Sequence, residues 1–150
     1  MIGIRSASVF LTTAVFVGIT GCASSTEPAA DPPPATTTPV ETLTPLVEQA
    51  LPNVPGKTFT SAVVDFPPSA RAAPHRHGDA FLYAYVLEGT VRSQVDDTPI
   101  RAFHQGEGWV EQPGAHHVLT ENTSQTEPAK LLVVFVANTG DKLKVDDPHR

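Results

Sequence analysis

The sequence lacks the residues on which several common functions depend. It has one cysteine, Cys22, so no disulfide can form within the chain. Lys and Arg number ten against sixteen Asp and Glu, and no basic patch occurs, which argues against nucleic acids or anionic phosphate surfaces as partners. No Ser-His-Asp spacing, phosphate-binding loop or paired-carboxylate arrangement stands out, so hydrolase and kinase chemistry have no support. Nothing repeats at a regular period, which excludes a solenoid.

The N-terminal apolar run is short. It extends over thirteen residues, from Ala7 to Ile19, and Arg5 precedes it. A membrane span takes about 20 residues, so this pattern indicates a secretory signal rather than a transmembrane helix.

The end of this run resembles the bacterial lipobox. Its residues Ile19-Thr20-Gly21-Cys22 place an aliphatic and two small residues before the Cys that is lipidated in that motif. We therefore expect a signal peptide over 1–21, lipidation of Cys22, and a protein exported and anchored to the bacterial cell membrane. The alternative is a plain secretory signal cleaved near Ala23, which would leave the protein secreted or periplasmic.

The remaining chain has room for one domain. Residues 22–42 are rich in Ala, Ser, Thr and Pro, which predicts a disordered stalk after the lipidated Cys. The folded domain is expected over 43–141 and a charged tail over 142–150.

The domain is predicted to be all-β. Only Leu43–Leu51 suggests helix, as one or two turns with Thr44 as N-cap and Pro45 at the first helical position. Turn signals then recur every eight to twelve residues, which is typical of a sandwich or closed barrel. The runs Thr58–Phe66 and Leu131–Val136 have the pattern of strands packed on both faces. The predicted strands are Thr58–Phe66, Ala80–Leu87, Thr90–Val95, Ile100–Phe103, Trp109–Glu111, His116–Glu121 and Leu131–Val136.

Three histidines form a candidate metal site. His75 and His77 are two residues apart, so they lie on the same side of an extended strand. His117 follows about forty residues later, and only a fold that returns the chain can bring it to the pair. Three imidazoles in one pocket suit Zn, Fe, Cu or Ni. His116 should face away from its neighbour by alternation, and we expect His104 and His149 to be solvated.

These residues resemble the two motifs of the cupin family. The first motif is Gly, five residues, His-x-His, three or four residues, Glu, six residues and Gly, and here it is matched by His75, His77 and Gly89. The second is Gly, five residues, Pro-x-Gly, two residues, His, three residues and Asn. It is matched by Gly106, Gly114 and His117, with Pro113 and Asn122 each one place late. The resemblance covers roughly 54–138 and implies a double-stranded β-helix, a jelly-roll-like barrel.

Two positions depart from the first motif. Its Glu, usually a metal ligand, falls at Leu82, and Ser69 takes the place of the opening Gly. Carried over residue by residue, the resemblance implies the ligands His75, His77 and His117 with no inherited fourth. This set is similar to that of the three-histidine cupins, among them iron-dependent thiol dioxygenases and diketone-cleaving dioxygenases.

Three residues are candidates for the missing ligand. Glu111 lies six residues before His117 and would share its face if one strand ran unbroken between them, and Gln94 and Asp79 are the other candidates. Three neutral imidazoles leave a divalent ion its full charge, so the site should attract an anionic ligand or acidify a bound water. The metal stays open among Fe, Mn, Zn, Ni and Cu.

Three functions remain open at this point. The first is a metal-binding cupin tethered to the cell envelope, and the second is a three-histidine Fe(II) dioxygenase or isomerase acting on a small anionic substrate. The third is a metal-free ligand-binding module of the envelope. A small molecule, the membrane through the lipid anchor, and a second copy of the chain are the candidate partners.

Overall fold

The computed structural model describes residues 39–148, and the regular elements in this range are all strands. The predicted signal peptide, the lipidated Cys22, most of the stalk and His149 lie outside the described residues. Within that range there is no helix long and apolar enough to cross a bilayer. The strands are β1 Thr42–Ala50, β2 Lys57–Phe66, β3 Arg71–Ala72, β4 His75–Arg76, β5 Phe81–Glu88, β6 Thr90–Val95, β7 Arg101–His104, β8 Gly108–Glu111, β9 His116–Glu121, β10 Ala129–Asn138 and β11 Val145–Asp146.

The strands form two antiparallel sheets facing each other. One sheet has the order β1-β2-β10-β5-β8 and the other the order β11-β4-β9-β6-β7, with β3 also paired to β9. From β7 to β11 each connection passes from one sheet to the other, whereas the three earlier pairs β1–β2, β3–β4 and β6–β7 each stay in one sheet. The all-β barrel prediction is confirmed. Gly89 turns the chain from β5 to β6 at a φ of 71°, and a Cβ there would lie 2.6 Å from the carbonyl oxygen of Pro128. Only glycine fits this turn.

The core lies between the two sheets. Alternate residues of β2 and β10 point inward and are buried, among them Phe66, Leu131 and Phe135. The outward residues of the same strands are mostly only half-buried. The sequence predicted that both strands are buried on two faces. This is wrong within the described residues, where the outward face of each strand is apolar but only half-buried.

The predicted helical turns over Leu43–Leu51 are also wrong. This segment is β1, which pairs with β2 along its length and has a bulge between Pro45 and Val47. Proline has no N–H to donate, so it is tolerated in a strand at a sheet edge or beside a bulge. Pairing with β2 overrides the local helix signal.

The segment predicted to be a charged tail contributes to the barrel. Strand β11 pairs with β4, opposing Asp146 to His75 and Val145 to Arg76. Just before it, Leu143 packs against the core. The folded domain therefore extends beyond the boundary at 141 that the sequence suggested, because β11 pairs with the strand that carries His75.

Candidate metal centre

The barrel brings the three predicted histidines together. His75 on β4 is directly paired with His117 on β9, so their side chains are neighbours on the inner face of the sheet. His77 follows two residues after His75 and points the same way. All three are at least 90% buried, and one ligand nitrogen from each lies within 4.8 Å of the other two.

Backbone carbonyls orient two of the rings. Nδ1 of His75 donates to the carbonyl oxygen of Ala73 at 2.7 Å, and Nδ1 of His77 donates to that of Leu143. A carbonyl can only accept, so each Nδ1 carries the proton and each Nε2 keeps a free lone pair. In metal sites, a hydrogen bond from one ring nitrogen to such an oxygen fixes the orientation of the histidine and leaves the other nitrogen free to bind the ion.

The same two histidines are held neutral. Burial lowers the pKa of His75 to about 4, against the hydrogen bond to Ala73, and the charges of the neighbouring histidines and Lys144 add to the effect. Burial also lowers the pKa of His77. Neutral imidazole is the form that binds metals, so both residues are in the ligating form at neutral pH.

A buried carboxylate shares the cavity wall with the histidines. Glu111 is 1% exposed, and its Oε1 accepts hydrogen bonds from Nδ1 of His117 at 3.0 Å and Nε1 of Trp109 at 3.1 Å. Burial alone would raise the pKa of Glu111, but the His117 hydrogen bond, the charges of His117 and His77, and the Trp109 hydrogen bond outweigh it and hold the pKa below its usual value. Glu111 is therefore an anion inside the barrel.

The second oxygen of Glu111 is unsatisfied. Among the described residues, Oε2 is the buried side-chain oxygen or nitrogen that has no hydrogen-bond partner. It lies 3.6 Å from Nε2 of His77, which is too long for a hydrogen bond. Two neighbouring atoms bound to one ion by bonds of about 2.1 Å lie roughly 3 to 3.5 Å apart, so a small inward shift would let these two atoms share a cation.

The spacing along one strand that nominated Glu111 is not what brings it to the histidines. Glu111 is on β8 of one sheet and His117 on β9 of the other, so they meet across the barrel rather than along one strand. In the ladder between β5 and β8, Glu111 is paired with Leu82. The carboxylate thus lies beside the position that the first cupin motif gives to its Glu.

The other candidate ligands lie elsewhere. Gln94 follows Ser93 on β6, and the Ser93 side chain points to the histidines, so alternation turns Gln94 to the opposite face. Asp79 is exposed in the turn after His77. Neither residue lines the cavity.

Two hydroxyls that the sequence reasoning missed do reach the site. Ser93 and Thr120 are paired across β6 and β9, and their oxygens lie 2.9 and 2.6 Å from Nε2 of His117. Because Nδ1 of His117 donates to Glu111, Nε2 accepts from the hydroxyls. Nε2 lies on the far side of the ring from Glu111, so an ion shared with that carboxylate would bind His117 through Nδ1, which would lose its proton on binding. Inward alternation from the buried Val91 was the signal that could have found Ser93.

The remaining described histidines lie outside the cluster. His116 is paired with Arg76, and its Nε2 lies 2.8 Å from a carboxylate oxygen of Asp147. It therefore faces away from His117, as alternation predicted. His104 is exposed and contacts the Thr90 hydroxyl.

A cavity of about 180 Å³ opens beside the histidines. Its lining is largely apolar and includes Phe66, Leu131 and Phe135 from the other sheet. Lys144 lies on its more exposed side and forms ion pairs with Glu41 at 2.6 Å and Asp146 at 3.1 Å. Burial alone would lower the pKa of Lys144, but the hydrogen bonds and charges of these carboxylates raise it, so the lysine remains a cation.

The donor set fits a divalent transition metal. It offers three imidazoles and one carboxylate oxygen, a combination typical of Fe, Mn, Zn, Ni and Cu sites. An ion with bonds of about 2.1 Å holds its ligands roughly 3 to 3.5 Å apart. The present separations of up to 4.8 Å mean that the rings would turn inward slightly on binding.

Comparisons with known proteins agree with this fold. A family model described as a cupin domain matches residues 62–135. The Cnp3 cupin domain of Schizosaccharomyces pombe superposes with a TM-score of 0.56 at 16% identity, covering 66% of this chain and 62% of that one. Recombinant oxalate oxidase in complex with glycolate gives 0.56 at 22% identity, covering 74% and 57%. The DMSP lyase DddQ from Ruegeria pomeroyi DSS-3 gives 0.51 at 21% identity, covering 58% and 42%.

These similarities concern the fold alone. The chain spans less than two thirds of the length of each of these three structures. No curated protein matches the sequence.

Proposed function

The chain belongs to the cupin superfamily, and we propose that it is a divalent-metal-binding member in which His75, His77 and His117 hold the ion and Glu111 completes the site. The observation that carries this proposal is the unsatisfied Oε2 of Glu111, 3.6 Å from the free Nε2 of His77. A buried carboxylate oxygen without a partner is costly, and a cation between these two atoms would satisfy both.

The carboxylate changes the electrostatics expected of a three-histidine site. Three neutral imidazoles leave a divalent ion with a charge of +2, whereas Glu111 lowers the charge of the whole centre to +1. The resulting donor set suits Fe, Mn, Zn, Ni and Cu, and the metal is to be identified by loading experiments. Such a centre still attracts an anionic ligand, although less strongly than a pure histidine tripod.

The cavity supports a small ligand beside the ion. Its volume of about 180 Å³ equals roughly that of six water molecules, which is below the range of drug-sized pockets. The apolar wall formed by Phe66, Leu131 and Phe135 belongs to the sheet opposite His75 and His117. We expect the ligand to combine a donor oxygen or anionic group with a short apolar body.

This cavity also favours a second candidate function, an enzyme on the same centre. A metal-dependent dioxygenase or isomerase needs an ion with open positions beside a space that admits its substrate. Among the structural neighbours, one is an oxalate oxidase in complex with glycolate and another a DMSP lyase. Oxygen uptake and product analysis with small anionic substrates, compared between the intact protein and His77→Ala, would test this function.

We further propose that the domain works outside the cytoplasm on a lipid tether. The support is the sequence over 1–22, with its basic, apolar and lipobox segments. Residues 23–38, rich in Pro, Ala and Thr, would act as a spacer between the lipid and the barrel.

Metal analysis of the full chain tests the metal site. We expect one ion per chain for the intact protein after loading, and none in His77→Ala. In Glu111→Gln, which keeps the shape but removes the charge, the affinity should fall by about 10- to 100-fold or more, as for other changes at metal sites. The matched control is His116→Ala, which removes an adjacent histidine that faces Asp147 and should bind metal as the intact protein does.

Two results would overturn the proposal. One is that none of the five metals binds at stoichiometric level, which would leave a metal-free ligand-binding module. The other is that His116→Ala loses metal as completely as His77→Ala, which would place the ion elsewhere.

A further inference from the structure

A second cleft opens at the edge of the barrel, where β7 ends one sheet and β8 ends the other. We call it the edge cleft, and residues of β6, β7, β8 and the turn before β7 line it. Its volume is about 550 Å³, against about 180 Å³ for the cavity beside the histidines. Pockets that take small organic molecules have volumes of roughly 300 to 1,000 Å³. The edge cleft is therefore large enough for such a ligand.

The walls of the edge cleft are mainly apolar. Phe103 from β7 and Trp109 from β8 pack against each other with ring centroids 4.6 Å apart. Val95, Ile100 and Val110 extend this apolar lining. Ile100 and Val110 are 45% and 44% exposed, so they belong to the side of the cleft that faces solvent. Aromatic and aliphatic walls of this kind favour a ligand with a flat apolar body.

A charged side chain, that of Arg101, also lines the edge cleft. Arg101 is directly paired with Ser93 in the ladder between β6 and β7, so both side chains project to the inner face of the sheet. The guanidinium lies over the ring of Phe103, 4.5 Å from its centroid. Charged residues seldom face the inside of a barrel. At this position the fold brings a cation to the edge of an apolar wall.

The guanidinium of Arg101 keeps hydrogen-bond donors for a ligand. An acidic neighbour, Glu107, has its Oε1 at 3.7 Å from Nη2 of Arg101, which is longer than a hydrogen bond. The other oxygen of Glu107 accepts a hydrogen bond from the His104 amide at 2.8 Å, so the turn between β7 and β8 holds this carboxylate. A guanidinium has five N–H donors in a fork that matches a carboxylate. Arg101 is therefore able to bind an anion that enters the edge cleft.

We propose that the edge cleft binds a small aromatic carboxylate, whose ring packs against Phe103 and Trp109 and whose carboxylate pairs with Arg101. The aromatic walls select the flat apolar body, and the guanidinium beside them selects the negative group. The four residues proposed to hold the metal line the other cavity. The proposal therefore describes a second binding site and does not depend on the metal centre.

Trp109 separates the edge cleft from the cavity beside the histidines. Its side chain lines both spaces, and its Nε1 donates a hydrogen bond to Oε1 of Glu111 at 3.1 Å, which holds the indole in the dividing wall. Trp109 is also the one tryptophan of the chain. The tryptophan fluorescence of the protein therefore reports on a ligand that packs against this wall.

Titration of the full chain with 3-phenylpropanoate, in non-ionic detergent where the chain carries lipid, tests the proposal by tryptophan fluorescence and calorimetry. The neutral probe 3-phenylpropanamide has the same shape without the charge. We expect the acid to bind with a dissociation constant of about 1 mM or lower. The amide should bind at least about fivefold more weakly, because it cannot form the charged pair with the guanidinium. The preference for the acid should be the same in metal-loaded and chelator-treated protein.

Replacement of the cation identifies the site. In Arg101→Gln the dissociation constant of the acid should rise at least about fivefold while that of the amide stays the same. The matched control is Arg92→Gln, because Arg92 is on the neighbouring strand β6 but pairs with Glu121 at 3.1 Å, so both probes should bind as before. Lys144→Gln removes the cation that lines the other cavity and should likewise leave the binding unchanged. Circular dichroism verifies that all three variants stay folded.

Each of the other outcomes would overturn the proposal. If neither fluorescence nor heat changes up to about 10 mM acid, Arg101 is only a charge that protects the exposed edge of the sheet. Equal affinities for the acid and the amide would mean that the guanidinium does not select the ligand. Loss of acid binding in Lys144→Gln but not in Arg101→Gln, or a preference for the acid that requires the metal, would place the acid in the cavity beside the histidines.

Discussion

Glu111 lies directly opposite Leu82 in the ladder between β5 and β8. The carboxylate that the first cupin motif provides from one strand is here provided by its cross-strand neighbour. Both residues are almost fully buried. Paired residues in a ladder project to the same face. A carboxylate at position 111 instead of position 82 therefore still lies at the wall of the histidine cavity.

Exchange of these two residues tests that relationship. We expect Glu111→Leu to lose metal binding and the double variant Leu82→Glu/Glu111→Leu to recover it, because the carboxylate returns to the same face one strand away. Leu82→Glu alone should destabilise the protein, since it adds a second buried carboxylate to the same wall. Calorimetric titration with metal and urea unfolding measure the two effects. Metal binding by Glu111→Leu at intact affinity would contradict a ligand role for Glu111.

The stability of the metal-free protein should fall as the pH drops from about 6.5 to 4. His75 has a folded-state pKa of about 4 against an ordinary value of 6.5, so in this range the unfolded chain binds a proton that the folded chain does not. The free energy of unfolding therefore decreases with falling pH, by about 3 kcal/mol for this residue. The lowered pKa of His77 acts in the same direction.

Urea unfolding of chelator-treated protein at several pH values measures this dependence. The control variant is His75→Gln, which should flatten the slope between pH 6.5 and 4 because the titrating group is gone. Glu111 affects the stability only at lower pH. Because its pKa is lowered in the folded state, it adds stability that is lost as the pH falls below about 4.5. A stability that rises as the pH falls from 6.5 would contradict the burial of neutral histidines.

Ser69→Gly should stabilise the fold by roughly 0.5 to 1 kcal/mol. Ser69 has a φ of 63°, which is unfavourable for any residue with a Cβ, and it stands where the cupin motif opens with glycine. The hydrogen bond from its backbone N–H to the Ser124 carbonyl would be kept. Thermal unfolding compared with the intact protein measures the change.

Asp96→Gly is the matched control for that variant. Asp96 also has a positive φ, of 50°, but its Oδ1 accepts a hydrogen bond from the His116 amide at 2.8 Å. Loss of this bond offsets the relief of backbone strain, so no gain in stability is expected. Equal gains in stability from the two variants would contradict a stabilising role for the hydrogen bond between the Asp96 side chain and the His116 amide.

Cys22→Ser should release the protein from the membrane fraction if the lipobox is used. The predicted lipid is attached through the thiol, and the described residues include no helix that could span a membrane. Mass measurement of the native N-terminus and fractionation of cells expressing each form test the prediction. An unmodified N-terminus beginning near Ala23 would instead indicate a plain secretory signal.

The sequence by itself determined most of the central strands and the three candidate histidines. Strands show as period-two patterns, the turn at Gly89 shows as a glycine between two strands, and the histidines are recognised by their spacing. These signals can all be read from the order of residues along the chain. The edge strand β1 was mistaken for helix because the Thr44-Pro45 signal is local, whereas the pairing with β2 that overrides it is not.

Only the tertiary structure decided which groups share the cavity and which faces are covered. Glu111 and Ser93 reach the histidines from strands whose register is set by the whole barrel, and no spacing along the chain encodes that distance. The apolar outward residues of β2 and β10 show the same limit. Sequence reveals that a face is apolar, but what packs against it is decided by three-dimensional assembly.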